Sequence, residues 1–195
     1  MITLSKPKVV FIIGTRPEAI KLAPLILKFR SSDYFKTEVL ISGQHKEMVF
    51  EVFKLFKIKI DHDLNLMRES QTLTYITCLA LDGLEKFLRN KKPNLVIVQG
   101  DTTTAFTGAL SAFYQKIPIA HVEAGLRTND LFNPYPEEAN RRIISQLATY
   151  NFAPTKKSSI NLENEKVPGE IFMTGNTVVD AVLMIRDLLI DDFQL

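Results

Sequence analysis

Charged and polar side chains able to move protons or hold anions recur directly after short apolar runs. Arg16 and Lys21 follow Val9–Ile13, Asp101 follows Leu95–Val98, and His121 and Glu123 close the run that starts at Pro118. A further group, Glu137, Glu138 and Arg141, opens a helix-length stretch behind Pro134-Tyr135-Pro136. Carboxylates with nearby cations are what proton abstraction from carbon and stabilisation of a departing diphosphate require. Strand alternation puts His121 and Glu123 on one side of a strand, where they can interact directly. Glu137 and Arg141, four apart on a helix, share a face and can pair.

Each of these residues also has a plainer role. Asp101 precedes a helix-length stretch from Thr102 and can cap it by accepting free amide hydrogens. Glu137 and Glu138 suit the positive end of a helix dipole. Arg16 can be a solvent-facing residue of an ordinary strand-to-helix turn. Glu123 is harder to explain away, because a carboxylate at the end of an apolar strand is costly unless paired or used. Gly14-Thr15-Arg16-Pro17 puts a glycine and a planar cation before a helix that tolerates proline in its first turn, an arrangement able to dock a phosphate. Neither a GxGxxG fingerprint nor a GxxxxGK[ST] loop occurs, which removes the usual support for NAD or ATP chemistry.

The apolar runs that lead into these residues read as buried parallel strands: Val9–Ile13, Glu38–Ile41, Leu95–Val98, Pro118–Val122, Tyr150–Ala153 and Ile171–Met173. Helix-length segments lie at Pro17–Arg30, His45–Phe56, Gln71–Asn90, Thr102–Tyr114, Pro136–Thr149 and Asn176–Leu189. This alternation predicts an α/β fold with a doubly wound parallel sheet. In such sheets ligands bind beyond the C-terminal strand ends, where the charged residues fall. The charged stretch Asn161–Lys166 reads as solvated surface.

With 195 residues and 46% apolar content, one domain with a sizeable core is expected. Lys and Arg total 24 against 22 Asp and Glu, with the signs interspersed, which argues against nucleic acid as a partner. The single cysteine, Cys78, reads as a small buried hydrophobe of a helix. No apolar run approaches the roughly 18 residues needed to span a bilayer, so no membrane partner and a cytoplasmic location are expected.

Six motifs in order carry a resemblance. They are Gly14-Thr15-Arg16-Pro17-Glu18-Ala19-Ile20-Lys21, Gln44-His45, Gly100-Asp101-Thr102-Thr103-Thr104, His121-Val122-Glu123-Ala124-Gly125-Leu126-Arg127-Thr128, Pro136-Glu137-Glu138-Ala139-Asn140-Arg141 and Thr174-Gly175-Asn176-Thr177. Together they resemble the non-hydrolysing UDP-N-acetylglucosamine 2-epimerases from about residue 8 to about residue 185. Members of that family have two Rossmann-like domains facing across a cleft, the glycosyltransferase B-type fold, and are about twice this length. The resemblance therefore implies the N-terminal domain alone, with the second domain absent and residues 186–195 as a truncated hinge. The other half, which in the family brings a catalytic histidine and the uridine grip, is then shortened away or supplied by a separate polypeptide.

By the same resemblance the reaction inverts C2 of the sugar, converting UDP-N-acetylglucosamine to UDP-N-acetylmannosamine by eliminating and re-adding UDP, with no cofactor and no metal. Asp101, Glu123 and Glu137 match the acidic catalytic residues. Arg16, Lys21, Gln44, Gln71 and Arg141 match substrate or phosphate contacts, and His121 is taken with them as a substrate-site residue. Glu47 and Ser70 depart from the pattern of substrate-activated members, so that activation is not implied. Another UDP-linked amino sugar, a hydrolysing reaction, or a non-catalytic remnant are the alternatives. An apolar first helix and an uncovered cleft surface predict a homo-oligomer.

Overall fold

The computed structural model describes residues 5–43, 46–66 and 72–193, without the side chains of 191–193. The chain alternates strand and helix throughout: β1 (Lys8–Ile13), α1 (Arg16–Arg30), β2 (Lys36–Ile41), α2 (Lys46–Leu55), β3 (His62–Asp63), α3 (Leu73–Lys91), β4 (Leu95–Gln99), α4 (Thr103–Tyr114), β5 (Ile119–Val122), α5 (Glu137–Leu147), β6 (Tyr150–Ala153), α6 (Lys156–Asn164), β7 (Glu170–Met173) and α7 (Thr177–Phe193). The seven strands form one parallel sheet in the order β3-β2-β1-β4-β5-β6-β7. The order reverses direction beside β1, so the crevice between the β1 and β4 exits is where ligands of such sheets bind.

Central strands are continuously apolar because both of their faces are covered. Val9, Phe11 and Ile13 of β1 pack with Ala19, Leu22 and Ile26 of α1, Val49 and Phe53 of α2 and Ala181 of α7. Val10 and Ile12 turn to the other face, against Leu84 and Leu88 of α3, Ala105 and Ala109 of α4 and Ile144 of α5. The apolar α1 thereby buries its sheet-facing side, while α2 and α7 lie alongside it. At the far edge Ala124, Ala153 and Leu162 form a smaller core under α6. Gly125, with φ +86°, permits that approach, because a Cβ there would lie 2.2 Å from the Ser158 carbonyl oxygen.

Two elements differ from the sequence expectation. Strand β3 is only two residues long, pairing His62 and Asp63 with Leu40 and Ile41. It is positioned by Arg30, which donates to the Lys59 carbonyl at 2.7 Å and the Asp61 carboxylate at 2.6 Å. Helix α6 occupies most of the stretch expected to be plain solvated surface. Thr155 caps it by accepting from the Ser158 amide, and only Ser158 and Leu162 are buried, which is why its polar sequence hides it. Cys78 also departs from expectation: it is exposed on α3, not buried. Leu73 and Tyr75 of the same helical turns are exposed too, so this end of α3 extends beyond the core. Among the described residues no helix is long and apolar enough to cross a membrane.

Candidate active site

The C-terminal ends of β1, β4 and β5 deliver the charged groups to one edge. Gly100 leaves β4 with φ +70° and Glu123 leaves β5 with φ +66°. For Glu123, which is not glycine, that left-handed backbone is unfavourable and needs support from its surroundings. Its carboxylate supplies the support, because three groups converge on it. Lys21 Nζ lies 2.5 Å from Oε2, the Gln99 amide donates to the same oxygen, and Asn176 Nδ2 donates to Oε1 at 2.8 Å. Only a tenth of this side chain is exposed. Lys21, Gln99 and Asn176 come from α1, β4 and the turn before α7, so one carboxylate ties three elements together.

Asp101 does not cap α4. Thr102 does, accepting from the Ala105 amide at 3.0 Å, which leaves the Asp101 carboxylate free to pair with Arg141 of α5. Burial pushes the Asp101 carboxyl above its ordinary range against the pull of Arg141, and the charges of Glu137 and Glu123 push the same way. That coupling places the three carboxylates in one electrostatic neighbourhood. Glu137, half-buried at the start of α5, makes no hydrogen bond or ion pair with the described residues. The expected Glu137–Arg141 pair is not formed, because Arg141 turns to Asp101 and, at 3.4 Å, to the fully buried Glu138.

His121 does not pair with Glu123 either. Strand β5 ends at Val122, and the positive φ of Glu123 breaks the alternation that would have aligned the two side chains. The His121 ring is fully buried, with Nε2 donating to the Gly100 carbonyl at 2.8 Å. Burial lowers its pKa to about 4, helped by the charges of Arg127 and Arg141. It is therefore neutral at neutral pH, with the proton on Nε2.

Arg16 stands exposed at the first position of α1, beside the Gly14-Thr15 turn. Glu18, two residues on, is completely buried and accepts from the Gly14 amide at 2.9 Å, the Thr15 amide at 2.6 Å and the Thr102 hydroxyl at 2.7 Å. Burial raises its pKa against those bonds. Gln44 and Gln71 lie outside the described residues, as does Ser70.

A family model described as UDP-N-acetylglucosamine 2-epimerase matches residues 27–194. This chain belongs to the UDP-N-acetylglucosamine 2-epimerase family. It is 52% identical over 181 residues to the Salmonella typhimurium UDP-N-acetylglucosamine 2-epimerase, covering 92% of this chain and 48% of that protein. It is 51% identical over 189 residues to the Escherichia coli K12 enzyme of the same name, covering 96% of this chain and 50% of that protein. The crystal structure of the Neisseria meningitidis UDP-GlcNAc 2-epimerase bound to UDP-GlcNAc superposes with a TM-score of 0.90 at 48% identity, covering 96% of this chain and 51% of that one. The chain thus spans about half the length of the epimerases it matches.

Within this epimerase-family domain, the groups that the sequence reading passed over are those that hold the charged ones. Gln99 is hidden as the last residue of an apolar strand, and Asn176 is an uncharged residue of a loop motif. Glu138 suits the helix dipole by position, yet it also accepts from Arg142 at 2.9 Å and from the Thr128 amide at 3.2 Å. Its burial would raise its pKa, but those bonds and the neighbouring Arg141 and Arg142 charges outweigh it and hold the carboxyl below the usual range. Arg127 grips Glu165 through two nitrogens, at 2.8 and 2.7 Å, which fastens the end of α6 to the β5 exit.

Proposed function

We propose that this domain contributes one wall of an active site that interconverts UDP-N-acetylglucosamine and UDP-N-acetylmannosamine. The reading is supported by Asp101, Glu123 and Glu137 standing at the exits of β4 and β5 and the start of α5, in a domain of the UDP-N-acetylglucosamine 2-epimerase family. In the forward direction a carboxylate takes the proton from C2. The C–H electron pair becomes the C1–C2 double bond, and the C1–O bond breaks with its electrons going to the diphosphate of UDP. Re-addition of UDP and reprotonation of C2 from the other face completes the inversion.

Glu137 suits the accepting role, because its lone pairs are not engaged by the described residues. Glu123 suits a fixed charge beside C1, since three donors already occupy it. Arg16, exposed at the start of α1, suits the leaving diphosphate, with Arg141 beside Asp101. Because the chain spans about half of its relatives, the opposite wall comes from a second, C-terminal domain, carried on another polypeptide or on a longer form of this one. Residues 1–195 then act as a single domain of that assembly.

The test is to combine the 195-residue chain with the C-terminal half of a relative and incubate it with UDP-N-acetylglucosamine in deuterated water. Product UDP-N-acetylmannosamine with deuterium at C2, and none from either half alone, is expected. Turnover by this chain alone would overturn the shared-site reading. A correctly assembled pair that binds substrate without exchanging C2 would overturn the epimerase reading.

A further inference from the structure

Gly100 takes the backbone out of β4 with φ +70° and is itself buried, yet among the described residues beyond its chain neighbours no heavy atom lies within 4 Å of where a Cβ would stand. A glycine is conformationally permissive, so the bonds made to this turn decide how well it is fixed. The turn carries Asp101, whose carboxylate must sit accurately if it takes part in chemistry, since misplacement of even about 1 Å is costly to catalysis.

The Gly100 amide donates to the Val122 carbonyl at 3.0 Å, and side chains hold the carbonyls that follow. His121 Nε2 donates to the Gly100 carbonyl at 2.8 Å, and Asn140 Nδ2 donates to the Asp101 carbonyl at 2.9 Å. Thr102 is tied by its hydroxyl to Glu18 at 2.7 Å. Two successive carbonyls are thus gripped by side chains from β5 and α5, and the carboxylate between them is met by Arg141, one residue along α5 from Asn140. His121 is fully buried and Asn140 is 7% exposed, so both reach the site edge only through the backbone they hold.

We propose that His121 and Asn140 are positioning residues that fix the Asp101 carboxylate by holding the two carbonyls of its turn. The value of that placement for turnover rests on the role of Asp101 proposed above, whereas the placement itself does not. The neutral Nε2–H form of His121 is the donor this needs, and the bond to Gly100 selects that form. Asn140 and Arg141 make α5 a single rigid carrier for both the backbone and the side chain of Asp101.

The experiment is a carbon-detected NMR titration of the Asp101 carboxyl in the 195-residue chain, with Asp101→Asn assigning the resonance. His121→Phe and Asn140→Leu keep approximate shape and remove the donor, while His121→Gln keeps an amide donor near the Nε2 position. Thermal unfolding is followed in parallel. With either donor removed, the carboxyl should move outward into solvent and its titration should fall toward the ordinary aspartate range. His121→Gln should titrate as the native chain does. A general loss of stability would lower the melting temperature without moving this titration. An unchanged Asp101 titration in folded His121→Phe and Asn140→Leu overturns the proposal, as does a His121→Gln that shifts like His121→Phe. Failure of all three variants to fold, including the donor-retaining one, would show a purely structural role and overturn it too. The reading needs no substrate or second half, so normal turnover in an Asp101→Asn enzyme would remove Asp101 from the chemistry without touching this placement, and absence of C2 exchange in the assembled enzyme would sink the epimerase reading without touching it either.

Discussion

Lys21 of α1 reaches Glu123 at the exit of β5 across 102 positions of sequence, with Nζ 2.5 Å from Oε2. The pair is partly buried, the lysine side chain being 25% exposed and the glutamate 10%. It ties α1 to the exit of β5 across β4 and holds a carboxylate on a backbone conformation that a non-glycine residue avoids. Lys21 therefore serves Glu123 first, whatever it also offers a phosphate.

Removing one partner of such a pair leaves the other desolvated without compensation, whereas removing both does not. Lys21→Met should lower stability by about 1–3 kcal/mol. Adding Glu123→Gln to it should restore a substantial part of the loss, because the amide can still accept from Gln99 or Asn176 without a stranded charge. Urea unfolding of the two single variants and the double variant measures the coupling. Additive effects would show that the pair contributes nothing of its own.

The pH dependence of stability should carry the mark of His121. Its pKa is about 4 in the folded chain against an ordinary value near 6.5, so between those values the unfolded chain binds a proton that the folded chain refuses. Stability from this group is complete above about pH 6.5 and is lost as pH falls toward 4, by on the order of 3 kcal/mol. Glu18 and Asp101, whose pKa values are raised, slope the other way, so the comparison with His121→Gln isolates the histidine. Unfolding free energies measured from pH 7 to pH 4 should fall more steeply in the native chain than in His121→Gln. Parallel curves would exclude the assignment.

The fold was legible where burial is complete on both faces. β1 loses the alternation of a half-buried strand and becomes a solid apolar run, and β4 does the same. β3 was not legible, because two residues beside a loop carry no period, and α6 was not, because a helix at the sheet margin buries only Ser158 and Leu162. The site followed the same division. Asp101, Glu123 and Glu137 could be placed at one edge, since each follows or faces a strand exit. Their partners could not, because Lys21–Glu123 and Asp101–Arg141 are set by sheet order and helix docking, not by spacing. Spacing suggested His121–Glu123 and Glu137–Arg141 instead, and in both cases a nearer long-range partner or a turn in the backbone prevailed.

Self-association should run through α7. Val179, Val182, Leu183, Leu189 and Ile190 are each at least 42% exposed and recur at helical spacing, beside exposed Phe172 and Met173 of the edge strand β7. Apolar groups of this kind at either end of one helix face, broken only by Arg186, favour a partner surface over water. Sedimentation at micromolar concentration should give a mass above one chain for the native protein, and Val182→Glu with Leu189→Glu should return it to one. A native mass equal to a single chain would dispose of the homo-oligomer.

The three carboxylates should separate by role when the chain is joined to a relative's C-terminal half. Glu137→Gln removes the carboxylate whose lone pairs are free, so it should reduce turnover by at least ~10²-fold and suppress deuterium exchange at C2, with little change in substrate binding. Glu123→Gln removes a charge held by three donors. It should slow elimination by a similar factor, but it should also leave Lys21 without its counter-charge and reduce stability. Asp101→Asn should slow turnover, and because the α4 cap is Thr102 and not Asp101, any stability loss should come from Arg141 losing its partner. Had Asp101 been the cap, its loss would have lowered stability by roughly 1 kcal/mol and left turnover intact. Steady-state kinetics, isotope exchange and urea unfolding on the same three proteins resolve these patterns. Near-normal turnover in all three would remove the carboxylate cluster from the chemistry.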